Sequence, residues 1–166
     1  MKIEDDFLDP VNFKELQTIM NGFDWHYTSE VDYDSVESKT FMFFHMFYVD
    51  LAPTSNIIEQ LTPILEILNP LSIFRIKANL LTRTPNIIKN EFHVDMNDVS
   101  EEKLKQWTTS IFYVNTNDGY TEFEDGTKVE SVANRMLTFP ANMKHTGTTC
   151  TNQQIRVLIN FNYFKK

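Results

Sequence analysis

The sequence predicts a mainly β protein of the double-stranded β-helix (jelly-roll) class, with N-terminal helices packed on one sheet. Two observations lead there. Six segments, KTFMFFHMFYV, SIFRIKANLL, TTSIFYVN, TKVESV, NRMLTF and IRVLINFNYF, are rich in aromatic and β-branched residues and are set apart by turn signals such as NDG and EDG. Helical patterning, by contrast, is confined to the chain before residue 70. Helices first and about eight strands after them fit an antiparallel sandwich or barrel, not alternating βαβ units.

A length of 166 residues predicts one domain, with residues 1–70 as helical support and 71–164 as the jelly-roll core. With 42% hydrophobic residues and 14 Phe against only 4 Gly, the chain builds an aromatic core and is neither disordered nor collagen-like. Taken in order, Asp9-Pro10 followed by VNFKELQTIM and Gly22 predicts a helix with an N-cap, a proline in its first turn and a terminal glycine. A second helix is expected from about Ser55 to Leu68, kinked or split at Pro63. In SIFRIKANLL, alternation sets Arg75, Lys77 and Asn79 on one face and Phe74, Ile76, Ala78 and Leu80 on the other. The segment from Thr82 to Phe92 reads either as a cleft-covering loop or as an ordinary hairpin loop.

The net charge of −8 is localised. Residues 1–37 hold ten acidic and two basic side chains, and the rest of the chain is balanced. This acidic arm is expected to be a solvated face, or a flap that repels polyanions, and to stand apart from any metal site. The single Cys150 excludes an internal disulfide and a cysteine-type zinc site, and the opening MKIEDDF is acidic where a signal peptide is basic. A cytoplasmic setting is therefore expected. The uncharged run from Thr40 to Val49 is far shorter than the roughly 18 apolar residues of a membrane span, so none is expected.

Among the four histidines, His45 sits in an apolar strand and reads as a satisfied core or edge residue, and His26 as a loop or surface residue. His93 and Asp95, in EFHVD, project from the same side of an extended chain and can reach one metal ion. His145 supplies a third ligand and Arg156, at the start of the last strand, a cation. Two histidines and one carboxylate on one face of an octahedron leave adjacent positions open, which suits Fe(II) binding a substrate and dioxygen together. A 2-oxo acid chelating that iron needs a fixed cation for its far carboxylate, and the planar fork of Arg156 fits it. The plainer alternative is an ordinary surface arginine. In its strand Arg156 shares a face with Leu158 and Asn160.

Together, H-x-D, TTSIFYVNTNDGYTEF, MLTFP, His145 and Arg156, in that order, resemble the prolyl-4-hydroxylase-like branch of the 2-oxoglutarate/Fe(II)-dependent oxygenases over about residues 71–164. NDGYTEF is similar to that family's Gly-Gly-x-Thr-x-Phe turn, and IEDDFLDPVNFKELQTIM to its opening strand and helix. The resemblance implies Fe(II) on His93, Asp95 and His145, with 2-oxoglutarate and dioxygen as co-substrates. It further implies that Arg156 pairs with the far carboxylate and that Tyr113 hydrogen-bonds it; a core aromatic is the other reading of Tyr113. Thr109, on the same face, is a further pocket candidate, and alternation alone suggests that Asn79 lines the cleft. The reaction implied is hydroxylation of a C–H bond, in a peptidyl prolyl or other protein residue or in a small amino-acid-like molecule. A nucleic-acid substrate is disfavoured, because the related branch has a second arginine where this chain has Asn162. The tyrosine usual before H-x-D and the glycine usual before the distal arginine are missing. A non-enzymatic metal-binding jelly-roll module is the rival from another class.

Overall fold

A computed structural model describes residues 1–22, 24–29, 31, 40–97 and 99–165. In chain order the elements are β1 (Lys2–Glu4), α1 (Pro10–Ile19), β2 (His26–Thr28), β3 (Met42–Val49), β4 (Ala52–Pro53), α2 (Thr62–Leu68), β5 (Ser72–Thr82), α3 (Glu101–Leu104), β6 (Trp107–Tyr113), β7 (Tyr120–Phe123), β8 (Lys128–Glu130), β9 (Arg135–Pro140), β10 (His145–Gly147) and β11 (Ile155–Phe164). Eight strands form one antiparallel sheet in the order β1-β9-β6-β11-β5-β3-β2, with β4 added beside β3. A second sheet, β10-β7-β8, faces it. The fold is thus mainly β, an antiparallel jelly-roll, as the strand pattern predicts.

The long strands have a different chemistry on each face. Outward from β5, β6 and β11, Ile76, Ala78, Phe112, Val157, Ile159, Phe161 and Tyr163 join one core with Leu16 and Met20 of the first helical region and Ile64 and Leu68 of α2. Each such large side chain contributes about 1.5–3 kcal/mol by leaving water, so this face anchors the helices. Between the sheets a second core collects Ile111, Tyr113, Phe123, Val129, Leu137, Phe139 and Leu158.

Local rules explain the helix ends. Asp9 accepts hydrogen bonds from the backbone N–H groups of Val11 (3.0 Å) and Asn12 (3.2 Å), and Pro10 occupies the first turn, where a missing N–H costs nothing. Pro63 splits the expected second helix into a 3-10 turn at Ile58–Leu61 and α2, whose first turn tolerates it. Asn69 closes α2 in the left-handed conformation (φ 47°). EDG makes the hairpin between β7 and β8, with Gly126 at φ 85°.

Several expectations need correction. Phe74 does not lie with Ile76: the β5–β11 register slips between Asn162 and Tyr163, and Phe74 packs instead on Trp107, ring centroids 5.9 Å apart. NDGYTEF is not simply a turn, because Tyr120–Phe123 is β7. The first nine residues are mostly exposed, as a solvated face, and are tied to the sheet: β1 pairs with β9, and Arg135 grips Asp5 through two hydrogen bonds of 2.6 and 3.0 Å. Asp32 and Asp34, and Lys39 at the start of the KTFMFFHMFYV segment, lie outside the described residues. Residues 82–92 are tied along the segment before β11, through Arg83 N–H to Gln154 O (2.9 Å), Thr84 N–H to Cys150 O (3.0 Å) and Asn90 N–H to Gly147 O (3.2 Å). That stretch is a bonded wall, not a free loop. His45 is satisfied by Asp24 O and Ser55 Oγ, each at 2.8 Å. No helix of the described residues is long and apolar enough to cross a membrane.

Candidate metal centre

His93 and His145 face each other across an isolated antiparallel bridge, each N–H donating to the other's carbonyl at 3.0 Å. The pairing holds the wall segment against β10 and brings the two rings to a centroid distance of 5.0 Å. Asp95, two residues beyond His93, turns to the same side, and its Oδ1 lies 3.9 Å from His93 Nε2. One ligand atom from each of His93, Asp95 and His145 falls within 4.8 Å of the others, the spacing of donors around a single ion.

Each imidazole is oriented from behind. His93 Nδ1 lies 3.1 Å from Glu91 O and His145 Nδ1 3.2 Å from Met143 O. A carbonyl only accepts, so both Nδ1 atoms carry the proton and both Nε2 lone pairs are left for a metal. Phe139 stacks edge-on against His145 at 4.9 Å, and burial lowers the His145 pKa, favouring the neutral form that ligates.

Asp95 is held by groups that periodicity alone does not reveal. Arg75 Nη2 lies 3.3 Å from Oδ1, and Asn162 Nδ2 donates to Oδ2 at 2.8 Å. Arg75 Nε in turn donates to Asn162 Oδ1 (3.2 Å), and Asn162 Nδ2 also reaches Thr109 Oγ1 (3.1 Å). Burial by itself would raise the Asp95 carboxyl, but the charge of His145 when protonated, the Arg75 guanidinium and the Asn162 hydrogen bond outweigh it and hold the group down to about 2. Thr109 is therefore placed behind Asp95 and does not line the cavity. The sequence signals for this support were the polar face carrying Arg75 and the position of Asn162 six residues after Arg156.

One cavity of about 130 Å³ joins this trio to Arg156. The arginine is 1% exposed. Its Nε donates to Ser131 Oγ (2.8 Å) and its Nη2 approaches Thr121 Oγ1 (3.4 Å), while its buried Nη1 has no partner. Tyr113 is buried beside it: its hydroxyl donates to Thr121 Oγ1 at 2.8 Å, and the guanidinium carbon lies 5.8 Å from its ring centroid. Glycine is required at 119, because a Cβ there would lie 2.6 Å from Arg156 Cδ. Asn79 lines the same cavity, and its Oδ1 is buried without a partner.

These groups fit a metal with a chelating co-substrate: two nitrogens and one oxygen make an open-sided donor set, and an orphaned guanidinium N–H awaits an anion. No family model matches the sequence, and no curated protein sequence matches it significantly. Solved structures do match. A 2OG-Fe(II) oxygenase-family oxidoreductase from Burkholderia pseudomallei superposes with a TM-score of 0.66 at 10% identity, covering 96% of this chain and 82% of that one. The chain has the fold of the 2-oxoglutarate/Fe(II) oxygenases. A prolyl hydroxylase from Trichoplax adhaerens, solved with a hypoxia inducible factor oxygen degradation domain peptide, gives a TM-score of 0.67 at 13% identity over 98% of this chain and 82% of that one. HygX from Streptomyces hygroscopicus, solved with nickel, 2-oxoglutarate and hygromycin B, gives 0.62 at 10% identity over 99% and 82%.

Proposed function

We propose that this chain is a 2-oxoglutarate- and Fe(II)-dependent dioxygenase that hydroxylates a C–H bond, working in a reducing compartment as one oxygenase-like domain. The observation that carries the reading is the sharing of one cavity by the His93–Asp95–His145 donor set and a buried, partly unpaired arginine. A module that merely held a metal would have no use for Arg156, whose burial without a counter-ion is costly. Proteins of similar fold are solved with chemically different molecules, one with a peptide and another with hygromycin B.

In this reading His93, Asp95 and His145 hold the iron, and Arg156 receives the far carboxylate of 2-oxoglutarate through Nη1. Tyr113 positions Arg156 by fixing Thr121, and Arg75, Asn162 and Thr109 keep Asp95 ionised and aimed. Bound there, Fe(II) with 2-oxoglutarate would supply oxidative chemistry in which decarboxylation to succinate and CO2 accompanies reduction of dioxygen, one oxygen atom ending in succinate and the other in the hydroxylated C–H bond. The chain's own work is orientation and exclusion of water: Ile111 and Leu158 floor the cavity with apolar surface, and Phe92 walls it.

The test is succinate release from 2-oxoglutarate by the purified protein, with and without Fe(II) and dioxygen, for wild type and Asp95→Ala. Turnover that needs both and is lost in Asp95→Ala is expected. Metal binding without any 2-oxoglutarate binding would replace this reading with the non-enzymatic module.

A further inference from the structure

Besides Arg75 and Arg156, the cavity contains a third cation, one that the reaction above does not use. Lys77 projects from the inward face of β5, between Arg75 and Asn79, and is 7% exposed. Its ammonium lies over the Phe44 ring of β3, 5.0 Å from the centroid, so it leans away from β11 and from Arg156. In register Arg156 is opposite Leu81 while Lys77 is opposite Asn160, which separates the two cations by four residues of β5, or roughly 13 Å of strand.

Among the described residues, charge matching around Lys77 is incomplete. The charged groups there that act on it are Arg75 and Asp95, and Asp95 already has Arg75 at 3.3 Å. Burial, with Arg75, pushes Lys77 down to about 8, against the pull of Asp95. Beside it, the Oδ1 atoms of Asn160, its direct partner across the sheet, and of Asn79, one pleat along, are both buried with no hydrogen-bond partner. Among the described residues, the same patch of cavity therefore presents one donor cation without an anion of its own and two acceptors without a donor. Buried polar groups left in this state take a partner, water or a ligand of opposite pattern, and a cavity continuous with the metal site gives a ligand access to them.

We infer that the substrate is a small molecule bearing an α-amino carboxylate, its carboxylate on Lys77 and its ammonium on the amide oxygens of Asn79 and Asn160. The inference rests on the proposed function, in which both ends of 2-oxoglutarate are already engaged, one at the metal and one at Arg156, leaving Lys77 to a third carboxylate. An internal residue of a peptide has neither a free carboxylate nor a free ammonium at its α-carbon, so the patch selects free amino acids over peptide chains.

The experiment is calorimetric titration of the anaerobic protein, saturated with Fe(II) and 2-oxoglutarate, with each of the common L-amino acids and with the α-amide of each. At least one amino acid is expected to bind about tenfold or more tightly than its amide, and Lys77→Met to abolish that difference while Lys77→Arg retains part of it. Affinity for 2-oxoglutarate should change less than about threefold in Lys77→Met, which also reports that the variant is folded. The inference is overturned if no amino acid outbinds its amide in the wild type, or if Lys77→Met keeps the preference. It is equally overturned if Lys77→Met, shown to be folded by an unchanged circular dichroism spectrum and Fe(II) affinity, loses 2-oxoglutarate, because Lys77 would then belong to the co-substrate. Failure of the wild type to bind 2-oxoglutarate at all is a separate result, and it sinks the proposed function itself.

Discussion

The outward and inward faces of the same three strands, β5, β6 and β11, do opposite things with the same backbone. Outward, Ile76, Phe112, Ile159 and Phe161 are buried apolar residues under the helices. Inward, beside the apolar Ile111, Tyr113 and Leu158, the side chains of Arg156, Asn160, Asn162, Lys77 and Thr109 are also buried and are polar or charged. Burial on the first face stabilises the fold; burial of these inward polar groups is tolerated because they satisfy one another or await a ligand. One face makes the sheet, and the other makes the site.

That contrast is sharpened by substitutions of decreasing effect. Phe161→Ala should cost about 3–5 kcal/mol of unfolding free energy, seen as a lower urea midpoint, with the iron affinity of the folded fraction unchanged. A marked loss of iron affinity in a stably folded Phe161→Ala would break the separation of the faces. Asn162→Ala, one residue further along β11 and on the other face, removes the hydrogen bond to Asp95; Fe(II) affinity should fall by about 10–100-fold, with a smaller cost in unfolding than Phe161→Ala. An unchanged metal affinity would show that Arg75 alone suffices to orient Asp95.

The smallest effect belongs to the rim. Arg135 holds the half-exposed Asp5 below the ordinary carboxylate range, chiefly through its hydrogen bond. A carboxyl depressed by folding adds stability above its unfolded pKa, near 3.8, and loses it as the pH falls through the lower folded value. Asp5→Asn should therefore change stability by less than about 1 kcal/mol at neutral pH, a difference that disappears in strong acid. Urea midpoints at pH 7 and pH 2 check the sign, and a larger effect at the lower pH would contradict it.

The same contrast explains what could be read before the structure. The outward face follows a period of two, so β11 was delimited at 155–164 and β5 within one residue of its end. Alternation also assigned Arg75, Lys77 and Asn79 to one face, but the bulge that displaces Phe74 depends on pairing with a distant strand. Short elements such as β2, β4, β10 and α3 were not foreseen, because two to four residues carry no period and are fixed by their neighbours. For α3 the signal was Ser100 ahead of Glu101 and Glu102. The i, i+2 pair His93 and Asp95 is legible locally, whereas the hydrogen bond of Asn162 to Asp95, with Thr109 behind Asn162, is a contact made only when distant segments meet, and the place of Asn162 six residues after Arg156 does not reveal its partner.

The central claim, that one ion on His93, Asp95 and His145 shares its cavity with a co-substrate anchored by Arg156, is tested most directly by adding 2-oxoglutarate to the anaerobic Fe(II) protein and following visible charge-transfer absorption. In the wild type a saturable band should grow. In Arg156→Leu the same band should require about 30- to 4000-fold more 2-oxoglutarate, the cost of about 2–5 kcal/mol for losing one partner of a buried charge pair, with Fe(II) affinity unchanged. No band in the wild type, or equal titrations in the two proteins, would contradict the account.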